Sequence, residues 1–220
     1  NIRGKPYITV SAKGISNGLS DIENDGADFG PDTPSTQTSG IQEAINYAIQ
    51  NNRKIIMKNG KYTITAPWKS YSLSSASNIG STLYYLIELP YVPWNTNIEP
   101  VYLDIEGETQ IRTEGNGIIP AGILNPSNNG VVIDISNVPA AASGNVAQYL
   151  FAVPMDGYSS QADLLFLRMT GINVFTSSGI PIGFIYAPTI ARSWLDETGY
   201  YSSVSQTANE YTSAFSFSNY

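Results

Sequence analysis

The sequence predicts an all-β fold: a single solenoid of stacked parallel strands, closed at its N-terminal end by one amphipathic α-helix. Short strand-like runs recur between turns rich in Gly, Pro, Asn and Ser, and few of these turns are two-residue hairpin loops. Residues 39–52 are the one segment with a convincing helical pattern. Parallel strands without crossover helices are expected to build a solenoid, and the alternative is an antiparallel sandwich or jelly roll.

The helix predicted at residues 39–52 is the element around which the rest is placed. Ser39 is the expected N-cap, with Gln42 three residues later as in a capping box. Asn51 and Asn52 suit a helix end, because Asn tolerates the left-handed conformation. We expect the apolar face to cover the open end of the strand stack, where backbone groups otherwise lack partners. The residues of that face are Ile41, Ala44, Ile45, Ala48 and Ile49.

Three motifs surround this helix: Asp25–Gly30 (Asp-Gly-Ala-Asp-Phe-Gly), Gly40–Asn46 (Gly-Ile-Gln-Glu-Ala-Ile-Asn) and Lys58–Ile64 (Lys-Asn-Gly-Lys-Tyr-Thr-Ile). Together they resemble the entry segment of right-handed parallel β-helix proteins of the pectate-lyase and tailspike type. In that superfamily a helix of this kind caps the coil, and a Gly-containing turn follows the first strand. The resemblance implies the fold and says little about function, because this fold hosts enzymes, binders and inert fibres.

The 220 residues are predicted to form one domain, with a loop and strand at 1–38, the helix, coils at about 54–190 and a Tyr-rich tail at 191–220. Residues 68–81 are predicted to be an irregular excursion. The tail is expected to pack against the last coil, to pair with a neighbouring subunit or to lead into a further domain. The predicted strands are Tyr7–Ser11, Lys54–Lys58, Lys61–Thr65, Leu83–Leu89, Val101–Thr113 with a bend at Gly107, Val131–Ser136, Gln148–Val153, Leu164–Met169, Asn173–Thr176 and Ile182–Ala187.

The composition excludes several classes of function. The chain contains no His and no Cys, which removes His-dependent nucleophile systems, thiolate chemistry and nearly all zinc sites. Its 11 basic residues are scattered and the net charge is −7, so no nucleic-acid surface is expected. No apolar run is long enough for a membrane span. Only 13% of residues are charged, roughly half the usual fraction, which is typical of extracellular, cell-surface or virion proteins, viral or archaeal ones among them.

Weak catalytic candidates lie on the strand that begins at Val101. Asp104, Glu106 and Arg112 are predicted on its outer face. In the superfamily that the chain resembles, lyases use Ca²⁺ with an Arg or Lys base, and hydrolases use paired Asp residues on neighbouring coils. The chain has no Asp-Asp pair and no Asn-x-Asp motif, so no catalytic residue carries over. The simpler interpretation is a solvated face on which Arg112 offsets its acidic neighbours.

A metal candidate lies in the N-terminal loop, where Asp21, Glu23, Asp25 and Asp28 cluster. Hard cations such as Ca²⁺ prefer clustered oxygen ligands. The spacing is not that of an EF-hand, so a solvated turn is the simpler interpretation. No cofactor is expected, and Ca²⁺ is the single candidate.

Aromatic residues in predicted loops are the candidates for binding: Trp68, Tyr71, Tyr91, Trp94 and Trp194. Flat rings stack on sugars and also anchor protein interfaces. Ordinary packing of loops against the core is the alternative.

The sequence therefore predicts a non-catalytic extracellular structural or adhesion module of a virion, an appendage or a cell surface. It is expected to associate with copies of itself, to contact a polysaccharide or other glycan, or both. The alternative is a polysaccharide lyase or glycoside hydrolase of the pectate-lyase-like superfamily. An enzyme should bring carboxylates from two coils within about 5–10 Å of each other, whereas a structural module should expose an apolar or aromatic surface.

Overall fold

The computed structural model describes residues 6–13, 26–73, 81–93, 99–108, 130–142, 147–155, 163–176, 183–188, 190–196, 199–202 and 215–216. These residues form short strands and one helix, α1, at Ile41–Asn51, so the predicted all-β class is confirmed. The strands are β1 Tyr7–Val10, β2 Lys54–Met57, β3 Gly60–Thr63, β4 Lys69–Ser72, β5 Thr82–Glu88, β6 Val101–Gly107, β7 Val131–Asp134, β8 Ala147–Ala152, β9 Asp163–Thr170, β10 Ile172–Thr176, β11 Gly183–Tyr186, β12 Ile190–Asp196, β13 Gly199–Ser202 and β14 Phe215–Ser216.

The strands lie in three sheets. The first has the order β1-β2-β6-β9-β12, the second β13-β10-β7-β3 and the third β14-β11-β8-β5-β4. From β2 onwards the chain visits the first, second and third sheets in turn and then returns to the first. Among the described strands every pairing is parallel except that of β4 with β5. The antiparallel sandwich or jelly roll, which was the alternative, is therefore wrong.

One apolar core joins the inner faces of the sheets to α1. The alternation predicted for β6 is confirmed, because Leu103 and Ile105 are buried and Tyr102 is exposed. Burial of this apolar surface is the main stabilising contribution, at about 25 cal/mol per Å². The largest side chains that are fully buried include Ile8, Ile41, Ile45, Ile55, Met57, Tyr62, Leu86, Ile87, Phe151 and Phe184.

The predicted helix is confirmed and lies against β1, β2, β5 and β6. Its buried residues are Ile41, Ala44, Ile45 and Ala48, and it ends at Asn52, which has the predicted left-handed conformation (φ 48°). At 11 residues it is too short to cross a bilayer. No helix in the described part of the chain has the length and apolar character of a membrane span.

The predicted capping box at Ser39 is wrong. The residue that precedes α1 is Gly40, at φ 82°, and it caps with no side-chain hydrogen bond. The Ser39 hydroxyl donates to the Thr63 carbonyl at 2.7 Å, and the Thr38 hydroxyl accepts the Gln42 N–H at 3.0 Å. Ser39 therefore ties the start of the helix to the second sheet.

β7 is buried on both faces, and one of its four residues, Asp134, is charged. Asp134 is only 2% exposed and forms an ion pair with Lys61 of the neighbouring strand β3. It also accepts the Ser136 N–H at 2.8 Å. Burial raises the pKa of the Asp134 carboxyl, but the hydrogen bonds from Lys61 and Ser136 outweigh this effect and hold the pKa below its usual value.

The backbone of Gly107, at the end of β6, lies close to that of Gly171, which follows β9. A Cβ atom on Gly107 would lie 2.4 Å from the Gly171 carbonyl oxygen, so a side chain here requires the backbone to move. The predicted continuation of this strand to Thr113 lies outside the described residues.

Two segments differ from their predictions. Residues 68–81 were expected to be irregular, but Lys69–Ser72 forms β4, antiparallel to β5. No strand was predicted beyond Ala187, but β12, β13 and β14 each extend one of the three sheets. Both segments are rich in Ser, and their strand structure depends on pairing with a neighbour rather than on a local apolar pattern.

Candidate functional site

The candidate site is the outer face of the first sheet, where β6 and β9 run side by side. Alternate residues of a strand face the same side of its sheet, so residues in register form rows across it. Tyr102 pairs with Phe166 in one row, and Asp104 pairs with Arg168 in the next. The third row contains Glu106.

The first row carries an aromatic pair, in which Tyr102 is exposed and Phe166 is half-buried. The rings of Tyr102 and Phe166 are stacked, with centroids 4.9 Å apart and planes inclined by 25°. Tyr102 is 60% exposed, and Tyr7 on β1 is 37% exposed. These two are the exposed large hydrophobic residues of the described part of the chain, and both lie on the first sheet. The stacked partner restrains Tyr102, so its ring offers a surface that is already ordered.

The next two rows carry a network of ion pairs. Arg168 Nη1 donates to Asp104 Oδ1 at 2.9 Å and to Glu106 Oε2 at 3.1 Å. Lys54 on β2 pairs with Glu106 from the other side. The prediction that Arg112 offsets these carboxylates remains untested because Arg112 lies outside the described residues, but Arg168 and Lys54 do so here.

The ion pairs determine which chemical roles these carboxylates can take. The hydrogen bond from Lys54 is the main cause that lowers the pKa of Glu106, and Arg168 lowers it further against the opposing effect of burial. The pKa of Arg168 is raised, chiefly by its hydrogen bond to Glu106. A general acid requires a raised carboxyl pKa. Glu106 is therefore poorly suited to that role and well suited to accept hydrogen bonds from a ligand.

Two of the aromatic candidates from predicted loops pack against the core, and a third lies outside the described residues. Trp68 is half-buried against the core, and its Nε1 donates to the Pro139 carbonyl at 2.6 Å. Tyr91 also packs against the core. Trp94 lies outside the described residues.

The other two aromatic candidates lie on strands, so their placement in loops is wrong. Tyr71 belongs to β4 and packs against a small buried cluster of the third sheet. Trp194 belongs to β12, in register with Arg168. Aromatic residues favour strands, and the surrounding Ser residues concealed this preference.

The metal candidates divide into one residue with a structural role and three that are not described. The Asp28 carboxylate accepts hydrogen bonds from the Thr9 N–H at 2.9 Å and from the Thr9 hydroxyl at 3.0 Å. Asp21, Glu23 and Asp25 lie outside the described residues. Within the described ranges, no group of three or more His, Cys, Asp or Glu side chains is placed to hold a metal ion.

Sequence reasoning missed Tyr102, Phe166, Lys54 and Arg168. The alternation around Val101 does place Tyr102 on the polar face of its strand, and that exposed ring was the available signal. Its partner Phe166 could not be predicted, because the register between β6 and β9 depends on the path of the segment that connects them.

Comparisons with protein-family models, with curated proteins and with solved structures find no significant match for this chain.

Proposed function

We propose that this chain is a non-catalytic extracellular structural or adhesion module that binds glycans through the outer face of its first sheet. We also propose that it folds as a right-handed parallel β-helix. The ordered return of the chain to each sheet supports this fold, and crossovers between parallel strands are right-handed in about 98% of cases. The resemblance of residues 25–65 to the β-helix entry segment is a second, independent support.

The observation that carries the binding proposal is the stacked Tyr102–Phe166 pair at the surface. A pyranose ring stacks on a flat aromatic ring by dispersion and CH contacts. Asp104 and Arg168 occupy the next row, about 7 Å along the strands, so they are placed to bond the hydroxyl groups of a neighbouring sugar unit. Because these side chains are already held by each other, little rotamer freedom is lost on binding.

The charge of the chain favours neutral polysaccharides over acidic ones. The net charge is −7, and a polyanion is repelled at long range by a surface of the same sign. The low charged fraction supports a cell-surface, appendage or virion location.

The alternative function, a lyase or hydrolase, has no specific observation in its favour. Arg168 and Lys54 keep Glu106 ionised, and Asp104 is engaged by the same guanidinium. The aromatic pair could instead serve self-association through this face. The binding experiment described next distinguishes glycan binding from self-association.

Tyr102→Ala is expected to weaken binding of a neutral oligosaccharide at least about tenfold, since aromatic anchors at binding surfaces contribute about 2 kcal/mol or more. The ligand is selected from an array of neutral oligosaccharides, and affinity is measured by isothermal titration calorimetry. Tyr84→Ala is the control, because Tyr84 is a half-buried tyrosine on β5 of the third sheet, away from the proposed site, and this variant should bind as the parent does.

Two results would contradict the proposal. The first is that no neutral glycan on the array binds the parent chain. The second is that Tyr102→Ala binds as tightly as the parent while retaining the same melting temperature. Loss of a dimer in Tyr102→Ala without any glycan binding by the parent would assign the face to self-association instead.

A further inference from the structure

A cleft lies between α1 and the third sheet, and its lining residues come from α1, β4 and the end of β5. Its volume is about 240 Å³. Pockets for drug-sized ligands start at about 300 Å³, so this cleft suits a smaller molecule. Gln42 holds its two walls together, because its Oε1 accepts the Glu88 N–H at 2.7 Å and its Nε2 donates to the Glu88 carbonyl at 3.1 Å. The cleft is therefore formed before any ligand enters it.

One side of the cleft is apolar. Ile49 on α1 and the two residues that follow β5, Leu89 and Pro90, line this side. Leu89 is buried, whereas Ile49 and Pro90 are partly exposed. An apolar group of a ligand would be removed from water here, together with the exposed parts of Ile49 and Pro90.

The other side of the cleft carries one positive and one negative side chain. Lys69 Nζ lies 3.5 Å from Glu88 Oε2, and the two side chains are 43% and 45% exposed. Tyr85 helps to hold both: its hydroxyl donates to Glu88 Oε2 at 3.2 Å, and its ring centroid lies 5.9 Å from Lys69 Nζ. Burial, the charge of Glu88 and this hydrogen bond raise the pKa of Tyr85 to about 12, so the hydroxyl keeps its proton. The two opposite charges favour a ligand that itself carries both signs.

Asn46 provides a further donor on the same cleft. Its Oδ1 accepts the Gln42 Nε2 at 3.2 Å, which leaves the two N–H groups of its Nδ2 for a ligand. Asn46 is exposed, so these groups can be reached from solvent. A ligand carboxylate that pairs with Lys69 therefore has a second donor in the cleft.

We propose that this cleft binds a free α-amino acid with an apolar side chain. The ammonium group of the ligand pairs with Glu88, its carboxylate pairs with Lys69, and its side chain packs against the apolar side. An α-amino acid fits because its two charged groups are attached to one carbon atom, so they lie close together as the charges of Lys69 and Glu88 do. Ligand and cleft then bring opposite charges into contact at both positions. This site is separate from the proposed glycan site, which lies on the first sheet.

The first test needs no variant and compares three ligands of the parent chain by isothermal titration calorimetry. The ligands are L-leucine, glycine and ε-aminocaproate, which has the same atoms and charges as leucine but carries its charges at opposite ends. We expect L-leucine to bind. Glycine lacks the apolar group and ε-aminocaproate cannot place both charges, so each should bind at least about tenfold more weakly.

The second test compares Lys69→Met and Glu88→Gln with the control Lys13→Met. The first two variants each remove one charge of the cleft with little change in side-chain size, and should weaken L-leucine binding at least about tenfold. Lys13 is also an exposed lysine, but it follows β1 and does not line the cleft, so its variant should bind as the parent does. Melting temperatures show whether each variant is folded.

Three results would overturn the inference: no binding of L-leucine by the parent at any soluble concentration, equal affinities of the parent for L-leucine and ε-aminocaproate, or unchanged L-leucine affinity in Lys69→Met. The proposed glycan site is tested separately, because Tyr102→Ala should bind L-leucine as the parent does. Loss of L-leucine binding in Tyr102→Ala, with an unchanged melting temperature, would also contradict the assignment to this cleft.

Discussion

Lys61→Met is expected to lower the free energy of unfolding by about 3–5 kcal/mol, because it removes the partner of a buried charge. The Asp134 side chain is 1% exposed, whereas that of Lys61 is 50% exposed. Loss of the lysine leaves a carboxylate that water cannot reach. Asp134→Asn should cost less, about 1–2 kcal/mol, since the remaining Lys61 is hydrated and the Asn oxygen still accepts the Ser136 N–H.

The pH dependence separates this explanation from a simple packing defect. In the parent the pKa of Asp134 is lowered, so its contribution to stability is present above the unfolded-state pKa and is lost as the pH falls through the folded-state pKa. In Lys61→Met, burial acts without the lysine, and the carboxyl takes up a proton at a higher pH. The difference between parent and Lys61→Met should therefore be largest near neutral pH and shrink as the pH falls below the range in which Asp134 titrates.

The measurement is urea unfolding of the parent, Lys61→Met and Asp134→Asn at several pH values. A Lys61→Met variant that is no less stable than Asp134→Asn at neutral pH would contradict the asymmetry. A penalty that stays constant from neutral to acidic pH would show that packing, rather than charge, is responsible.

Gly40→Ala is expected to destabilise the chain by about 2–5 kcal/mol, the second large effect. Two costs add: about 1–2 kcal/mol for a side chain in the left-handed conformation at φ 82°, and about 1–3 kcal/mol for overpacking. The added Cβ would lie 2.5 Å from the Gly30 backbone nitrogen, and backbone atoms cannot rotate away as a side-chain tip can.

Gly26→Ala is the matched control. Gly26 also has a positive φ, of 73°, but a Cβ there meets no atom within 4 Å. It should therefore show only the conformational cost, about 1–2 kcal/mol. Equal losses of stability for the two variants, measured by denaturant unfolding, would mean that the close approach of Gly40 to Gly30 contributes nothing.

Features set by neighbours along the chain were predictable from the sequence. The helix at Ile41–Asn51 was visible because its apolar residues repeat within a few positions, and Asn52 marked its end. The inward and outward residues of β6 followed from simple alternation. The sequence therefore predicted those strands in which apolar residues recur at regular positions.

Features set by register were not predictable. That Arg168 holds Asp104 depends on the register between two strands separated by a long intervening segment. The same holds for Lys61 and Asp134, and for the stacked ring of Phe166. The N-terminus of α1 was mispredicted for a related reason. The Ser39 hydroxyl does not accept a helix N–H as an N-cap would, but donates to the carbonyl of Thr63, which is distant in sequence.

The pairing of strands from distant parts of the chain has a consequence for folding kinetics. Ile55 pairs with Ile105, and Leu103 with Leu167, so each pairing first requires a long loop to close. Chains with such a high contact order fold in milliseconds to seconds rather than microseconds. We expect stopped-flow refolding on this slow scale, with a yield that falls as protein concentration rises, because half-formed intermediates expose edges that the finished molecule keeps covered.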